Sequence, residues 1–162
     1  MRAAFIYSDD LSRFSYGSSH PLKPFRLKLT YELIIACGLL TPADPRVIAP
    51  VPARREDLLA FHTPEYVGML EASNSDIPAP GGAAFGLGFG DNPVFPGMYD
   101  WSTLVAGASL AAARMVDDGE AGVALGRKAT RFSTSTGNGT RRASGAVGGW
   151  VGRAGKAGGG SF

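Results

Sequence analysis

Cysteine and histidine are scarce in this 162-residue sequence. The histidines are His20 and His62, and the one cysteine, Cys37, lies in an apolar run. A single cysteine excludes an intrachain disulfide, and the apolar neighbours predict a buried, reduced thiol. The apolar runs are too short for a membrane-spanning helix, and the one after Met1 is too short for a signal peptide. We therefore expect a soluble cytoplasmic protein that does not associate with a membrane.

Acidic residues are absent from the last part of the chain. Residues 1–124 carry all fourteen Asp and Glu and nine Lys and Arg, a net charge of −5, whereas residues 125–162 carry seven Lys and Arg and no acid, a net charge of +7. Residues 125–162 also hold 11 of the 23 glycines and none of the prolines. Such a segment buries too little apolar surface to offset its ordering entropy. The sequence thus predicts a folded part, 1–124, followed by a disordered basic tail, 125–162.

Short apolar runs alternate with helical repeats in the folded part. Strands are predicted at 3–7, 47–49 and 121–125, and helices at 24–38, twice within 54–71, and at 98–117. This alternation is typical of an α/β fold with a parallel sheet. Residues 73–97 are predicted to form a long loop, and ordered loops of this length are usually functional. In the first helix, Leu29, Leu33, Cys37 and Leu40 repeat at helical spacing, which predicts an apolar stripe that includes the buried thiol.

Three unusual strings occur in a fixed order along residues 1–124. Residues 16–26 read Tyr-Gly-Ser-Ser-His-Pro-Leu-Lys-Pro-Phe-Arg, residues 61–67 read Phe-His-Thr-Pro-Glu-Tyr-Val, and residues 90–97 read Gly-Asp-Asn-Pro-Val-Phe-Pro-Gly. Together they resemble the histone deacetylase family, in the branch that includes bacterial acetoin-utilisation deacetylases. The resemblance covers roughly residues 3–124, the N-terminal part of a longer family domain.

The resemblance implies an arginase-like (ureohydrolase-type) fold, with three layers around a parallel sheet, here incomplete. It also implies zinc-dependent hydrolysis of acetyl-lysine in a protein or of a small acetyl amide. Asp91 matches the loop aspartate that accepts hydrogen bonds from the substrate backbone, and Arg26 matches an arginine that lines an inner channel. Tyr16, His20 and Lys23 match the first string, but no chemical role is assigned to them.

The family's metal-binding and catalytic residues have no counterpart in this sequence. The resemblance places a Gly-Gly-x-His-His motif soon after Val123 and a catalytic tyrosine further on, but both histidines precede that point and the last tyrosine is Tyr99. We therefore assign no zinc ligand and no catalytic residue, and expect this chain to bind no zinc and to be inactive. A parallel sheet cut short would also leave an uncovered apolar face, which predicts poor solubility.

Several alternatives remain open from the sequence. Asp91 also fits an ordinary turn before Pro93, and Arg26 a surface ion pair with Glu32. The basic tail is interpreted as a frameshift product, as a solvated tail, or as an arm that binds nucleic acid through its charge. The third interpretation makes the chain a non-catalytic binding module, although the tail lacks Arg-Gly-Gly repeats. Substrate identity and oligomeric state are not indicated.

Overall fold

The structure, a computed structural model, describes residues 3–77, 79–90 and 92–126, and the backbone of two further strands. The strands are β1 (Ala3–Ile6), β2 (Val47–Ile48), β3 (Val123–Leu125), β4 (Arg131–Ser135) and β5 (Arg142–Gly145). The α-helices are α1 (Arg26–Ala36), α2 (Arg55–Leu59), α3 (Pro64–Ala72) and α4 (Met98–Asp117). Short 3-10 helices span Asp9–Ser12 and Gly82–Phe85.

The five strands form one sheet in the order β2-β1-β3-β4-β5. Strand β1 lies between β2 and β3 and is parallel to both, with Phe5 opposite Val47 and Ala3 opposite Val123. Strands β4 and β5 extend the sheet by antiparallel pairing. The predicted α/β fold with a parallel sheet is therefore confirmed, and β2 is an edge strand of that sheet.

Helices cover both faces of β1. Because side chains alternate along a strand, Ala4 and Ile6 point to one face and Phe5 and Tyr7 to the other. The first face packs against α4 in a buried cluster. On the second face, the Tyr31 ring of α1 stacks on Tyr7 at 4.3 Å and on Phe5 at 6.3 Å between ring centroids. This arrangement of helix, sheet and helix is the three-layer architecture that the resemblance implied.

Helix α4 forms much of the core, and its predicted bounds are confirmed. Trp101, Ala108, Ala112 and Val116 are buried on one side of it. Full burial of a side chain such as Val116 stabilises the fold by roughly 1.5–3 kcal/mol. After the helix, Gly119 adopts a φ of +76°, which turns the chain back toward β3. None of the helices in the described part combines the length and hydropathy that crossing a bilayer requires.

Helix α1 differs from the prediction. No residue of the helix is buried, and Leu29 and Leu33 are 52% and 63% exposed. Cys37, which follows the helix, is exposed, so the prediction of a buried thiol is wrong. The physical reason is that α1 carries apolar residues on both sides, and the sheet covers only the side that holds Tyr31.

The predicted boundary after residue 124 falls inside β3. Strands β4 and β5 lie within the segment predicted to be a disordered tail, and their backbones pair with the sheet. Residues 127–130, 136–141 and 146–162 lie outside the described residues. For these residues the disorder remains a prediction.

Candidate functional site

Two of the three strings come together beside the start of α4. The Tyr16 ring lies edge-on to Phe95 at 5.4 Å and to Trp101 at 5.2 Å between centroids. His20 packs against the other side of Tyr16 at 4.5 Å. Phe14 completes the group at 6.1 Å from Phe95. These five rings, here called the aromatic cluster, join the loop before α1 to the loop before α4.

Trp101 anchors this cluster to the core. It is buried, and its indole Nε1 donates a 3.2 Å hydrogen bond to the carbonyl oxygen of Leu11. A buried indole N–H without an acceptor would carry a desolvation cost, so this bond holds residues 11–16 against α4. The position of the first string is therefore set by a helix that begins about eighty residues later in the chain.

Gly97 provides the close approach at this junction. Its φ is +76°, and a Cβ at this position would lie 2.5 Å from Cε1 of Phe14. Both the left-handed backbone and the lack of space require glycine here. The final glycine of the third string thus allows Phe14 to pack at the N-terminus of α4.

Lys23 and His20 stabilise the loop that carries the first string. The Lys23 Nζ donates to the carbonyl oxygens of Gly17 and Ser18 at 3.1 and 2.6 Å. His20 Nδ1 accepts the backbone N–H of Leu22 at 3.1 Å. These contacts give both residues a structural role, for which the sequence alone offered no explanation.

Of the two residues with carried-over roles, the structure describes one. Arg26 begins α1, and its side chain is exposed. Asp91 lies outside the described residues. Its neighbour Asn92 closes a tight turn, since its side-chain amide donates to the Gly86 carbonyl at 2.7 Å and its own carbonyl accepts the Gly88 N–H at 2.7 Å. The substrate contact of Asp91 and the channel position of Arg26 remain predictions.

The second string forms the junction between α2 and α3. The Thr63 hydroxyl accepts the Tyr66 N–H at 3.3 Å, and Pro64 is the first residue of α3, both of which are usual at a helix start. The His62 ring packs against Tyr66 at 5.0 Å. Partial burial holds the pKa of His62 below its ordinary value and raises the pKa of Tyr66. The ring contact places His62 in the packing at the junction between α2 and α3.

Sequence reasoning missed a polar group at the carboxyl end of β1. The Tyr7 hydroxyl donates a 2.7 Å hydrogen bond to Asp9 Oδ1, and burial, this bond and the nearby charge of Asp9 raise the pKa of Tyr7. Ser8 lies between them, and its buried Oγ has no hydrogen-bond partner among the described residues. The run Ser-Asp-Asp directly after a buried strand was the available signal, because ligands of open α/β sheets bind at the carboxyl ends of the strands.

Zinc does not fit the side chains that the structure describes. A catalytic zinc site takes three protein ligands from His, Cys, Asp or Glu. In the described ranges, no group of three or more such side chains lies close enough to hold a metal ion. We therefore derive no step of a reaction through zinc.

Comparison with known protein families shows to which family this chain is related. Residues 20–130, more than half of the chain, match the histone deacetylase domain. The chain belongs to the histone deacetylase family. The match begins at His20, inside the first string, and continues six residues beyond the predicted boundary at 124.

Similar proteins carry the family's name in plants and yeast. The chain is 36% identical to Histone deacetylase 3 of Oryza sativa subsp. japonica over 127 residues, which cover 76% of this chain and 25% of that protein. It is 30% identical to Histone deacetylase RPD3 of Saccharomyces cerevisiae, of which it covers 29%. It is also 33% identical to the acetoin utilization protein AcuC of Bacillus subtilis, over 74% of this chain and 30% of AcuC. The chain thus spans between a quarter and a third of the length of these histone deacetylase relatives.

Proposed function

We propose that this chain supplies the N-terminal portion of a histone deacetylase domain and does not hydrolyse acetyl-lysine by itself. The observation that carries this proposal is the position of the histidines, since none follows His62. The Gly-Gly-x-His-His motif that the resemblance places after β3 is therefore missing. Residues 100–162 contain no tyrosine either.

Within this proposal, the chain contributes to substrate binding rather than to the chemical step. Asp91 would accept hydrogen bonds from the substrate backbone, and Arg26 would line an inner channel once other residues enclose it. The substrate class is an acetylated lysine in a protein or a small acetyl amide. A cytoplasmic location belongs to the same proposal, because an exposed free thiol such as Cys37 persists in a reducing compartment.

A hydrolysis assay tests this proposal directly. The purified chain is incubated with added zinc and an acetyl-lysine peptide reporter, with rice Histone deacetylase 3 as the positive control. We expect no release of acetate above the protein-free blank. Zinc-dependent turnover that Asp91→Ala abolishes would overturn the proposal, provided that Asp76→Ala, a matched change in another loop, leaves the turnover intact.

A second candidate function rests on the charge of the basic tail. Seven Lys and Arg without any acid in residues 125–162 favour contact with an anionic polymer. The chain would then be a binding module in which residues 1–124 act as a scaffold. The logarithm of the binding constant for nucleic acid should fall linearly with the logarithm of the salt concentration. Binding should vanish when residues 126–162 are deleted. Binding that survives the deletion would refute the role of the tail.

A further inference from the structure

An apolar surface on α1 has no cover in the described part of the molecule. Phe25, Leu29 and Leu33 follow one another at intervals of four residues and therefore share one side of the helix. They are 52%, 52% and 63% exposed. These three residues are called the outer face of α1.

The opposite side of the same helix is already occupied. Tyr31 stacks on Tyr7 and Phe5 of the sheet, and Leu27 and Ile34 beside it are half-buried. A surface helix normally presents polar residues on the side away from the core, whereas a helix that is apolar on both sides is normally buried. The outer face is thus built like a surface between two layers of protein.

The size of the related proteins indicates what covers this surface. More than two thirds of each relative lies outside its match to this chain. Helix α1 lies inside the matched range, which runs from residue 20 to residue 130. Relatives therefore possess a large further portion of polypeptide that is available to pack on the layers formed by residues 20–130.

Charged residues border the outer face without interrupting it. Arg26 and Glu32 are exposed and lie on opposite flanks of the Leu29–Leu33 line, as follows from a rotation of about 100° per residue in an α-helix. An apolar centre with a polar rim is the usual anatomy of a protein–protein interface. The two opposite charges would fix the register of an incoming segment more than they would add affinity.

We propose that the remaining portion of a histone deacetylase domain packs on the outer face of α1. This inference rests on the proposed function, in which the chain supplies only the N-terminal portion of the domain. The occupant is an apolar segment of that complementing portion. A second copy of this chain is the competing occupant, and the experiment separates the two.

Co-expression with a complementing polypeptide tests the inference. The full chain, carrying an affinity tag, is expressed together with the part of rice Histone deacetylase 3 that follows its matched segment, and the recovered complex is quantified. Leu29→Lys and Leu33→Lys each place a charge in the outer face, and lysine and leucine have similar helix propensities. Each should reduce the recovered complement by roughly tenfold or more, which corresponds to about 1.4 kcal/mol.

A matched control separates the outer face from general hydrophobic adhesion. Ile77 is 75% exposed in the loop after α3, so Ile77→Lys adds the same charge on an equally exposed apolar residue. This variant should retain the complement as well as the unsubstituted chain does. Circular dichroism of all the variants should give the same helix content, because the substituted side chains are exposed.

Three results would overturn the inference. The first is that the unsubstituted chain recovers no complement, and the second is that Leu33→Lys recovers as much complement as Ile77→Lys. The third is a dimer of the chain alone, seen by light scattering and dissolved by Leu33→Lys, which would assign the face to a second copy. No acetyl-lysine reporter is used, so hydrolysis by the chain alone would refute the proposed function without affecting these readouts.

Discussion

The α-carbon of Gly107, in the middle of α4, lies directly against the backbone carbonyl group of Val51. A Cβ on Gly107 would overlap the Val51 oxygen and would lie 2.8 Å from the Ala53 nitrogen. The Ala53 N–H donates a 2.9 Å hydrogen bond to the carbonyl oxygen of Thr103, one helical turn before Gly107. The segment that follows β2 is therefore held on the helix by a contact that only glycine permits.

Gly107→Ala should destabilise the protein. Helix propensity alone would favour alanine by about 0.5–1 kcal/mol, but overpacking against backbone costs roughly 1–3 kcal/mol or more. The cost of the overlap should exceed the gain in helix propensity, because the overlapping atoms belong to the backbone and cannot move away by a side-chain rotation. Thermal and urea unfolding would measure the loss.

The matched control is Gly68→Ala in α3. No atom lies within 4 Å of a Cβ at that position, so the helix-propensity gain of about 0.5–1 kcal/mol should appear there. The two substitutions should thus change the free energy of unfolding with opposite signs. Equal gains from both would show that Val51 does not contact Gly107.

Asp44 should make stability sensitive to acid. Its carboxylate accepts hydrogen bonds from the Arg46 side chain at 2.9 and 2.8 Å and from the Arg46 backbone N–H at 2.9 Å. The side-chain bonds to Arg46 are the largest cause that holds the pKa of Asp44 well below its ordinary value. A carboxyl group with a depressed folded-state pKa stabilises the fold above its unfolded pKa of about 3.9, and the stabilisation is lost as the pH falls toward the lower folded value.

The measurement is the melting temperature between pH 5 and pH 2. The unsubstituted chain should lose stability across this range more steeply than Asp44→Asn does. Asp76→Asn, in an exposed loop, is measured beside it as a control for the loss of one carboxyl group. Parallel curves for Asp44→Asn and the unsubstituted chain would contradict the expectation.

His62 should give a second pH dependence at a higher pH. Burial lowers the pKa of His62, so the folded state favours the neutral ring. Stability should therefore decrease as the pH falls from the ordinary histidine pKa of about 6.5 toward the lower folded value. NMR titration of the imidazole protons measures the pKa of His62, and His62→Gln, which removes its signals, assigns the resonances. A folded pKa at or above 6.5 would contradict the burial of this ring against Tyr66.

Ser8→Ala should leave stability unchanged or raise it. The Ser8 Oγ is buried and lacks a hydrogen-bond partner among the residues that the structure describes. An unsatisfied buried hydroxyl costs roughly 1–3 kcal/mol, which alanine would recover. Ser73→Ala is the matched control, because the buried Ser73 Oγ accepts the Ala79 N–H at 3.2 Å and its removal should destabilise. A loss of stability in Ser8→Ala similar to that in Ser73→Ala would show that Ser8 has a partner elsewhere in the chain.

Local chemistry allowed much of the fold to be predicted. The helix over residues 98–117 was predicted at its observed bounds, and the second helix predicted within residues 54–71 is α3, which begins at Pro64. The exposure of Leu29 and Leu33 could not be predicted, because their spacing identifies a helix face but not the layer that covers it. The sheet packs on the Tyr31 side of α1, and this tertiary contact decides which face of the helix is buried.

The candidate site was predicted less completely. The strings that contain Tyr16 and Phe95 were identified separately, and the resemblance to a family supplied their order but not their contact. Trp101 lies in a predicted helix, yet its bond to Leu11 could not be predicted because it joins residues about ninety positions apart. The Tyr7–Asp9 bond was missed although Tyr7 ends a predicted strand and Asp9 lies two residues beyond it, since the sequence does not show which way either side chain points.

The position of β1 between β2 and β3 has a consequence for synthesis of the chain. Its main partner, β3, is the last strand of the parallel part of the sheet. Ala3 can therefore pair with Val123 only after Val123 has left the ribosome. Until then β1 has only the two residues of β2 beside it, too few to form a stable sheet. The Ala4–Ile6 surface of the nascent chain therefore lacks its main strand partner until β3 has been synthesised.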